Sequence, residues 1–139
     1  MNREMAEIIR NQRPVTLPPE TTVREACRAM HTRRIGAILV TDERGRLEGI
    51  FTGRDAVRIL ADHRAAASRP LKDVMTPSPA TMKPRSTAIE ALRLMRDGGF
   101  RHLPVVEDDR VVGIVSRGDF RGLEHDRLDE ETGLWERIG

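Results

Sequence analysis

The sequence predicts a mixed α/β (α+β) fold made of two similar halves that pack on each other with pseudo-twofold symmetry. The first observation behind this is an internal repeat: Pro84, Thr87, Ala91 and Met95 stand 65 positions after Pro19, Thr22, Ala26 and Met30. Seven residues between Val15 and Met30 recur at that offset, as Thr81, Pro84, Thr87, Glu90, Ala91, Arg93 and Met95. The second is apolar spacing, which alternates in each half between short strand-like runs and helical i, i+3, i+4 stripes. The third is size: the 139-residue chain can bury a common core, whereas one half is too small to cover a sheet and two helices alone.

Residues 1–7 read as an amphipathic N-terminal helix, its apolar side begun by Met5 and continued by Ile8 and Ile9. A first domain is placed at residues 8–64. Pro14 ends the opening helix, Val15-Thr16-Leu17 is a brief strand, and the loop from Pro18 to Thr22 delivers a capping hydroxyl to a helix running to about Arg33. The apolar run Ile35 to Val40 has strand length, Asp42-Glu43-Arg44-Gly45 favours a tight turn, and Leu47 to Phe51 returns as the second arm of a hairpin. After Asp55, the residues Ala56, Val57, Ile59 and Leu60 give a helix. Residues 62–70, polar, alanine-rich and closed by Pro70, read as a linker. The same order begins again in a second domain at residues 70–123. Beyond the hairpin the offset is 64, as Gly113 against Gly49 and Asp119 against Asp55 show, so one turn residue is missing between Val105 and Gly113. Residues 124–139 form a polar tail, either frayed or a short helix anchored by Trp135.

Composition excludes several functional classes. The 24 basic and 22 acidic residues leave a net charge of +2, without a run of like charge long enough for a nucleic-acid arm. Aromatic residues make up 3% of the chain, too few for base-stacking platforms. The single cysteine, Cys27, rules out an internal disulfide framework and fits a reducing cytoplasm. It shares a helical stripe with Val23, Ala26 and Met30 and reads as a core residue. The longest apolar runs are too short to span a bilayer, and the N-terminus lacks a signal peptide's apolar core, so a cytoplasmic protein is expected. His31, His63, His102 and His125 lack metal-ligand spacing, and neither a phosphate-binding glycine loop nor a catalytic triad is recognisable. Asp108-Asp109 and Glu130-Glu131 are turn and surface acids.

The chemistry concentrates in a phrase that occurs twice: Gly49-Ile50-Phe51-Thr52-Gly53-Arg54-Asp55 and Gly113-Ile114-Val115-Ser116-Arg117-Gly118-Asp119. In one reading each is a capping box, the hydroxyl and the acid satisfying backbone N–H groups at a helix start. In the other, the helix start offers N–H groups and partial positive charge to a phosphate, the hydroxyl adds a donor, and the aspartate accepts from two vicinal ribose hydroxyls. Arg54, Arg117 and Arg101 would then offset the repulsion between the acid and a phosphate.

Across roughly residues 8–123 the two halves resemble a tandem, free-standing pair of CBS domains, the regulatory modules named after cystathionine β-synthase. The resemblance is carried by Val74-Met75-Thr76-Pro77, by Phe100-Arg101-His102-Leu103-Pro104-Val105-Val106, and by the two Gly-Ile-x-(Thr/Ser)-x-x-Asp turns. It implies two β-α-β-β-α units and adenosine ligands, such as AMP, ADP, ATP or S-adenosylmethionine, bound in clefts between them, with the aspartate on ribose and the hydroxyl near phosphate. By position it implies Ser116, Arg117 and Asp119 with Thr81, Arg101, His102 and Pro104 at one site, and Thr52, Arg54 and Asp55 with Thr16 and Ala37 at the other. The sites are not alike, since Arg10-Asn11 and Gly36-Ala37 stand in the first half where Met75-Thr76 and Arg101-His102 stand in the second. A homodimer is implied, through helices at about residues 22–34 and 87–97 or those after Asp55 and Asp119.

The expected function is therefore that of a non-catalytic sensor module with no obligatory cofactor, which binds an adenosine-type ligand and signals to an unidentified regulated protein. One alternative is a protein-association module without bound nucleotide. Another is nucleic-acid binding through arginines such as Arg33, Arg34 and Arg101, for which the scattered charge gives little support.

Overall fold

The computed structural model describes residues 2–120 together with Gly122 and Glu124. Its elements in order are α1 (Met5–Ile8), β1 (Thr16–Leu17), α2 (Val23–Arg33), β2 (Ala37–Thr41), β3 (Leu47–Thr52), α3 (Gly53–Asp62), α4 (Leu71–Val74), β4 (Thr76–Pro77), α5 (Ala88–Gly98), β5 (His102–Glu107) and β6 (Arg110–Ser116). Short 3-10 turns cover Ala66–Ser68 and Arg117–Asp119. Trp135, His125 and the rest of the expected tail after Glu124 lie outside the described residues. The chain divides into two units, one formed by Arg13–Ala80 with Asp108–Val111, the other by Met1–Gln12, Thr81–Glu107 and the described part of Val112–Gly139. They are called below the first-repeat and second-repeat units.

In the first-repeat unit, α2 starts at a full capping box. Thr22 Oγ1 accepts from Glu25 N at 3.2 Å, and Glu25 Oε2 accepts from Thr22 N at 3.4 Å. The helix stops where Arg34 takes φ 55° and Ile35 N donates to Met30 O at 3.0 Å. A four-stranded sheet runs β1-β2-β3-β4, with β1 parallel to β2 and the other pairs antiparallel. Its inner face, Ile38, Val40 and Phe51, packs in one cluster with Val23, Ala26 and Met30 of α2, Ile59 of α3, and Ala66, Leu71 and Val74. The opposite face, Ala37, Leu39 and Ile50, is buried as well, which accounts for the continuous rather than alternating apolar run in β2.

The expected linker is folded structure. Ala66 is 4% exposed within the core cluster, and Arg69 O accepts from Val23 N at 2.9 Å. Its polar, alanine-rich composition reads as a connector because only one small side chain is needed to pack against α2. Thr76–Pro77 is likewise a strand on the first-repeat sheet, pairing with Gly49 and Ile50, and at this edge position the proline's missing N–H costs no ladder bond.

The second-repeat unit reuses this arrangement with chain residues from far upstream. In the first-repeat unit Leu71 N donates to Thr21 O (2.8 Å), Lys72 N to Pro19 O (3.0 Å) and Val23 N to Arg69 O (2.9 Å). In the second, Met5 N donates to Ser86 O (2.7 Å), Ala6 N to Pro84 O (2.8 Å) and Ala88 N to Arg3 O (2.7 Å). Residues 3–6 therefore do for the second repeat what residues 69–72 do for the first, at an offset of 66. Close packing follows the same rule: a Cβ on Gly49 would lie 2.4 Å from Met75 Sδ, and one on Gly113 would lie 2.7 Å from Ile9 Cβ. Where Ile50 pairs with Thr76, Ile114 N donates to the Gln12 side chain at 2.9 Å. The N-terminal helix, expected to extend through residues 1–7, shrinks to the single turn α1, with Met5 fully buried.

Helix α5 begins at the Thr87–Glu90 capping box and ends at Gly99, φ 73°. Strands β5 and β6 form a two-stranded hairpin. The strand expected at Thr81 is reduced to one bridge, Met82 to Val105. In the first repeat Leu39 N donates to Val15 O at 3.2 Å; the residue at Leu39's place in the second is Pro104, which has no N–H to give, and the strand loses that rung. The missing hairpin residue is also explained, since Asp108 and Asp109 both take positive φ, 49° and 65°, in a two-residue turn. The motif itself is a 3-10 turn, Arg117–Asp119, followed by extended Phe120, and Gly122 and Glu124 beyond it are helical. Gly118, a weak helix former, stands there in the place of Arg54.

Candidate functional site

Strand β3 delivers Thr52 to the start of α3, so the helix begins at Gly53 and the motif Thr52–Asp55 forms its N-cap and first turn, earlier than the expected start after Asp55. Asp55 Oδ2 accepts from Thr52 N at 2.9 Å and from Thr52 Oγ1 at 3.1 Å, while Asp55 N donates to Thr52 Oγ1 at 3.3 Å. Asp55 Oδ1 is met by Arg58 Nη2 at 3.4 Å, and the same nitrogen donates to Val74 O at 3.3 Å.

The second turn repeats the geometry at the end of β6. Asp119 Oδ2 accepts from Ser116 N at 2.7 Å and from Ser116 Oγ at 3.3 Å. Its backbone carbonyl accepts from Arg3 Nη2 at 3.0 Å, and Arg3 is itself clamped by Glu124, Nε to Oε1 at 2.6 Å and Nη2 to Oε2 at 3.0 Å. Glu124 is buried, and its carboxylate holds the Arg3 pKa above the usual range. Both turns are therefore capping boxes, and each still carries its carboxylate beside a helical or 3-10 start.

Strand register and backbone hydrogen bonds place the neighbouring residues named from sequence within each unit. Register pairs Ala37 with Thr52 and Thr16 with Leu39, so Thr16, Ala37 and Thr52 share the sheet face opposite the helical core. Thr16 is exposed and Ala37 is buried. In the second-repeat unit Arg117 N donates to Arg101 O at 3.1 Å, just as Gly53 N donates to Gly36 O at 3.1 Å, which places Arg101-His102 where the first repeat has Gly36-Ala37. His102 is half-buried, and burial pushes its pKa down; the charge of Asp119 pulls it back up and that of Arg101 opposes it. Thr81 is exposed, whereas Pro104 is fully buried with its carbonyl taken by Met82 N at 2.9 Å. Arg54, Arg101 and Arg117 are exposed and have no ion pair among the described residues.

Two residues at the turns escaped sequence reasoning. Arg58 carried a signal, its i+3 spacing from Asp55 on a helix. Arg3 carried none, because a contact over 116 positions has no local signature. Cys27 is half-buried against the core, and burial raises its pKa, which keeps it a thiol. Among the described residues there is no cluster of three metal-ligating side chains, and no helix long and apolar enough to cross a membrane.

The duplicated units and duplicated turn define a mixed α+β tandem-repeat module. The family model of the CBS domain matches residues 5–62 and 71–126, and the chain belongs to that family. It is 39% identical over 108 residues to the CBS domain-containing protein CBSCBSPB1 of Arabidopsis thaliana, a match that takes in 77% of this chain but spans only about a fifth (20%) of that relative's length. Among solved structures it resembles a CBS domain protein of Pyrobaculum aerophilum complexed with AMP, with TM-score 0.83, 25% identity, and coverage of 92% of this chain and 99% of that one. It also resembles the CBS domain pair of protein MJ0100 in complex with 5-methylthioadenosine and S-adenosyl-L-methionine, with TM-score 0.78, 25% identity, and coverage of 95% and 99%.

Proposed function

We propose that this chain is a non-catalytic regulatory module of the cytoplasm. It takes an adenosine-containing ligand, AMP, ADP, ATP or S-adenosylmethionine, at its hydroxyl–aspartate turns and passes the bound state, as a homodimer, to a regulated protein. The reading is carried by one observation: the same carboxylate-bearing turn occurs in both units, with exposed Arg54 beside one and exposed Arg101 and Arg117 beside the other. The AMP, 5-methylthioadenosine and S-adenosylmethionine held by the two similar proteins support the ligand class. In the proposed complex Asp119 and Asp55 accept from ribose hydroxyls, Ser116 and Thr52 stand near phosphate, Thr81, His102 and Pro104 or Thr16 and Ala37 form the wall near the base, and the arginines face the anionic end. Ligand favouring one of two conformations would carry the signal by population shift.

A second reading is favoured by the capping geometry itself. Thr52 and Asp55, like Ser116 and Asp119, already satisfy one another, and a module that only associates with proteins needs no more. Thermal melts with AMP, ADP, ATP and S-adenosylmethionine separate the two. At a hundredfold excess over its dissociation constant, a true ligand adds about 2.7 kcal/mol to stability. A melt unmoved by all four leaves the association reading in possession.

A further inference from the structure

We infer that Arg58 makes the two turns unequal as ribose acceptors, restraining the Asp55 carboxylate so that Ser116–Asp119 is the stronger site. The inference rests on the adenosine-ligand reading above. A carboxylate offers about four lone-pair positions, two on each oxygen. Asp55 Oδ2 spends both on Thr52 N and Oγ1, at 2.9 and 3.1 Å, and Oδ1 has one occupied by Arg58 at 3.4 Å. One position remains for a diol that donates two O–H groups. Asp119 Oδ2 is filled in the same way by Ser116, at 2.7 and 3.3 Å, but Oδ1 accepts from no group among the described residues. Both of its positions are open to a diol.

The repeat supplies the internal control. At the 64-residue offset the place of Arg58 is taken by Gly122, where even an added Cβ would meet nothing within 4 Å. No side chain there competes for Asp119. In the first turn, ribose must either bind through a single hydroxyl or displace Arg58 from Asp55. Because Arg58 is 51% exposed, the pair is solvent-screened and its displacement lowers affinity only modestly, by up to about fivefold. Arg58 thus acts as a specificity-determining residue through Asp55, without itself touching ligand.

The test isolates the first turn in an Asp119→Ala background and titrates AMP, 2′-deoxy-AMP and S-adenosylmethionine by calorimetry. Adding Arg58→Ala is expected to tighten AMP and S-adenosylmethionine by up to about fivefold and to leave 2′-deoxy-AMP, which lacks the diol, unchanged. Arg58→Met keeps an apolar stem but offers Asp55 no donor, and is expected to give the same selectivity with less effect on the melt. Unchanged or weaker AMP binding in both variants overturns the inference, as does equal tightening of AMP and 2′-deoxy-AMP. If the unaltered protein binds none of AMP, ATP and S-adenosylmethionine, it is the adenosine reading itself that fails, and the inference falls with it.

Discussion

Arg3 and Arg69 occupy equivalent places, 66 positions apart, and each accepts a backbone hydrogen bond at its carbonyl, from Ala88 and Val23 respectively. Their side chains differ in what they meet. Arg3 forms a fork with the 5%-exposed Glu124, at 2.6 and 3.0 Å, and reaches Asp119 O at 3.0 Å. The residue at Glu124's place in the first repeat is Leu60, 75% exposed. Arg69 Nε is buried without a hydrogen-bond partner among the described residues, and its Nη1 lies 3.4 Å from His63 Nδ1. Truncation to alanine keeps both backbone bonds and removes only these side-chain interactions. Arg3→Ala removes the charge-assisted hydrogen bonds to Glu124 and the one to Asp119 O and is expected to cost about 1.5–3 kcal/mol. Arg69→Ala removes an unsatisfied donor along with its packing and is expected to cost less than about 1 kcal/mol. Lysine at position 3 recovers only part of the loss, because a point charge cannot reproduce the fork. Urea unfolding with a common m-value measures both variants. A loss on Arg69→Ala equal to or larger than that on Arg3→Ala would refute the reasoning.

Gly49→Ala places a methyl 2.9 Å from Thr76 O as well as against Met75. The side chain can move but the backbone oxygen cannot easily follow, so a loss of about 1–3 kcal/mol is expected in denaturant melts. Met5→Ala, at a fully buried position, should cost about 2–5 kcal/mol. Hydrogen exchange should locate the loosening in the second-repeat unit around α5, although Met5 precedes the first repeat in sequence. For His102, whose folded-state pKa is depressed chiefly by burial, the unfolded chain takes up the proton first as pH falls below about 6.5. Folding stability should therefore fall on the acid side of that value, with a slope of at most about 1.4 kcal/mol per pH unit from this group. His102→Gln should lose less stability between neutral pH and the acid side of that window than the unaltered protein, with equal losses contradicting the assignment.

How much of this was legible without coordinates follows from the range of each interaction. The helix caps Thr22, Thr52 and Thr87 act over three residues, and sequence placed them because such spacings are local. The hairpins were legible for the same reason, and so were the two turns, since a repeat duplicates its local geometry. Pro104 was read as part of a family strand, but its missing N–H matters only once Met82 and Val105 are side by side, where it shortens a strand the repeat predicted in full.

By itself, then, the sequence determined the mixed fold class, the repeat, the order of elements and the paired Thr52–Asp55 and Ser116–Asp119 turns, because all of these are written in spacings of a few residues or in one constant offset. Tertiary structure alone decided which segment closes which unit: residues 3–12 pack with the second repeat and residues 69–77 with the first. It also decided that Arg58 restrains one aspartate while Arg3 supports the other at its carbonyl. These choices are made by burial and hydrogen-bond satisfaction between residues distant in sequence, where local propensity is silent.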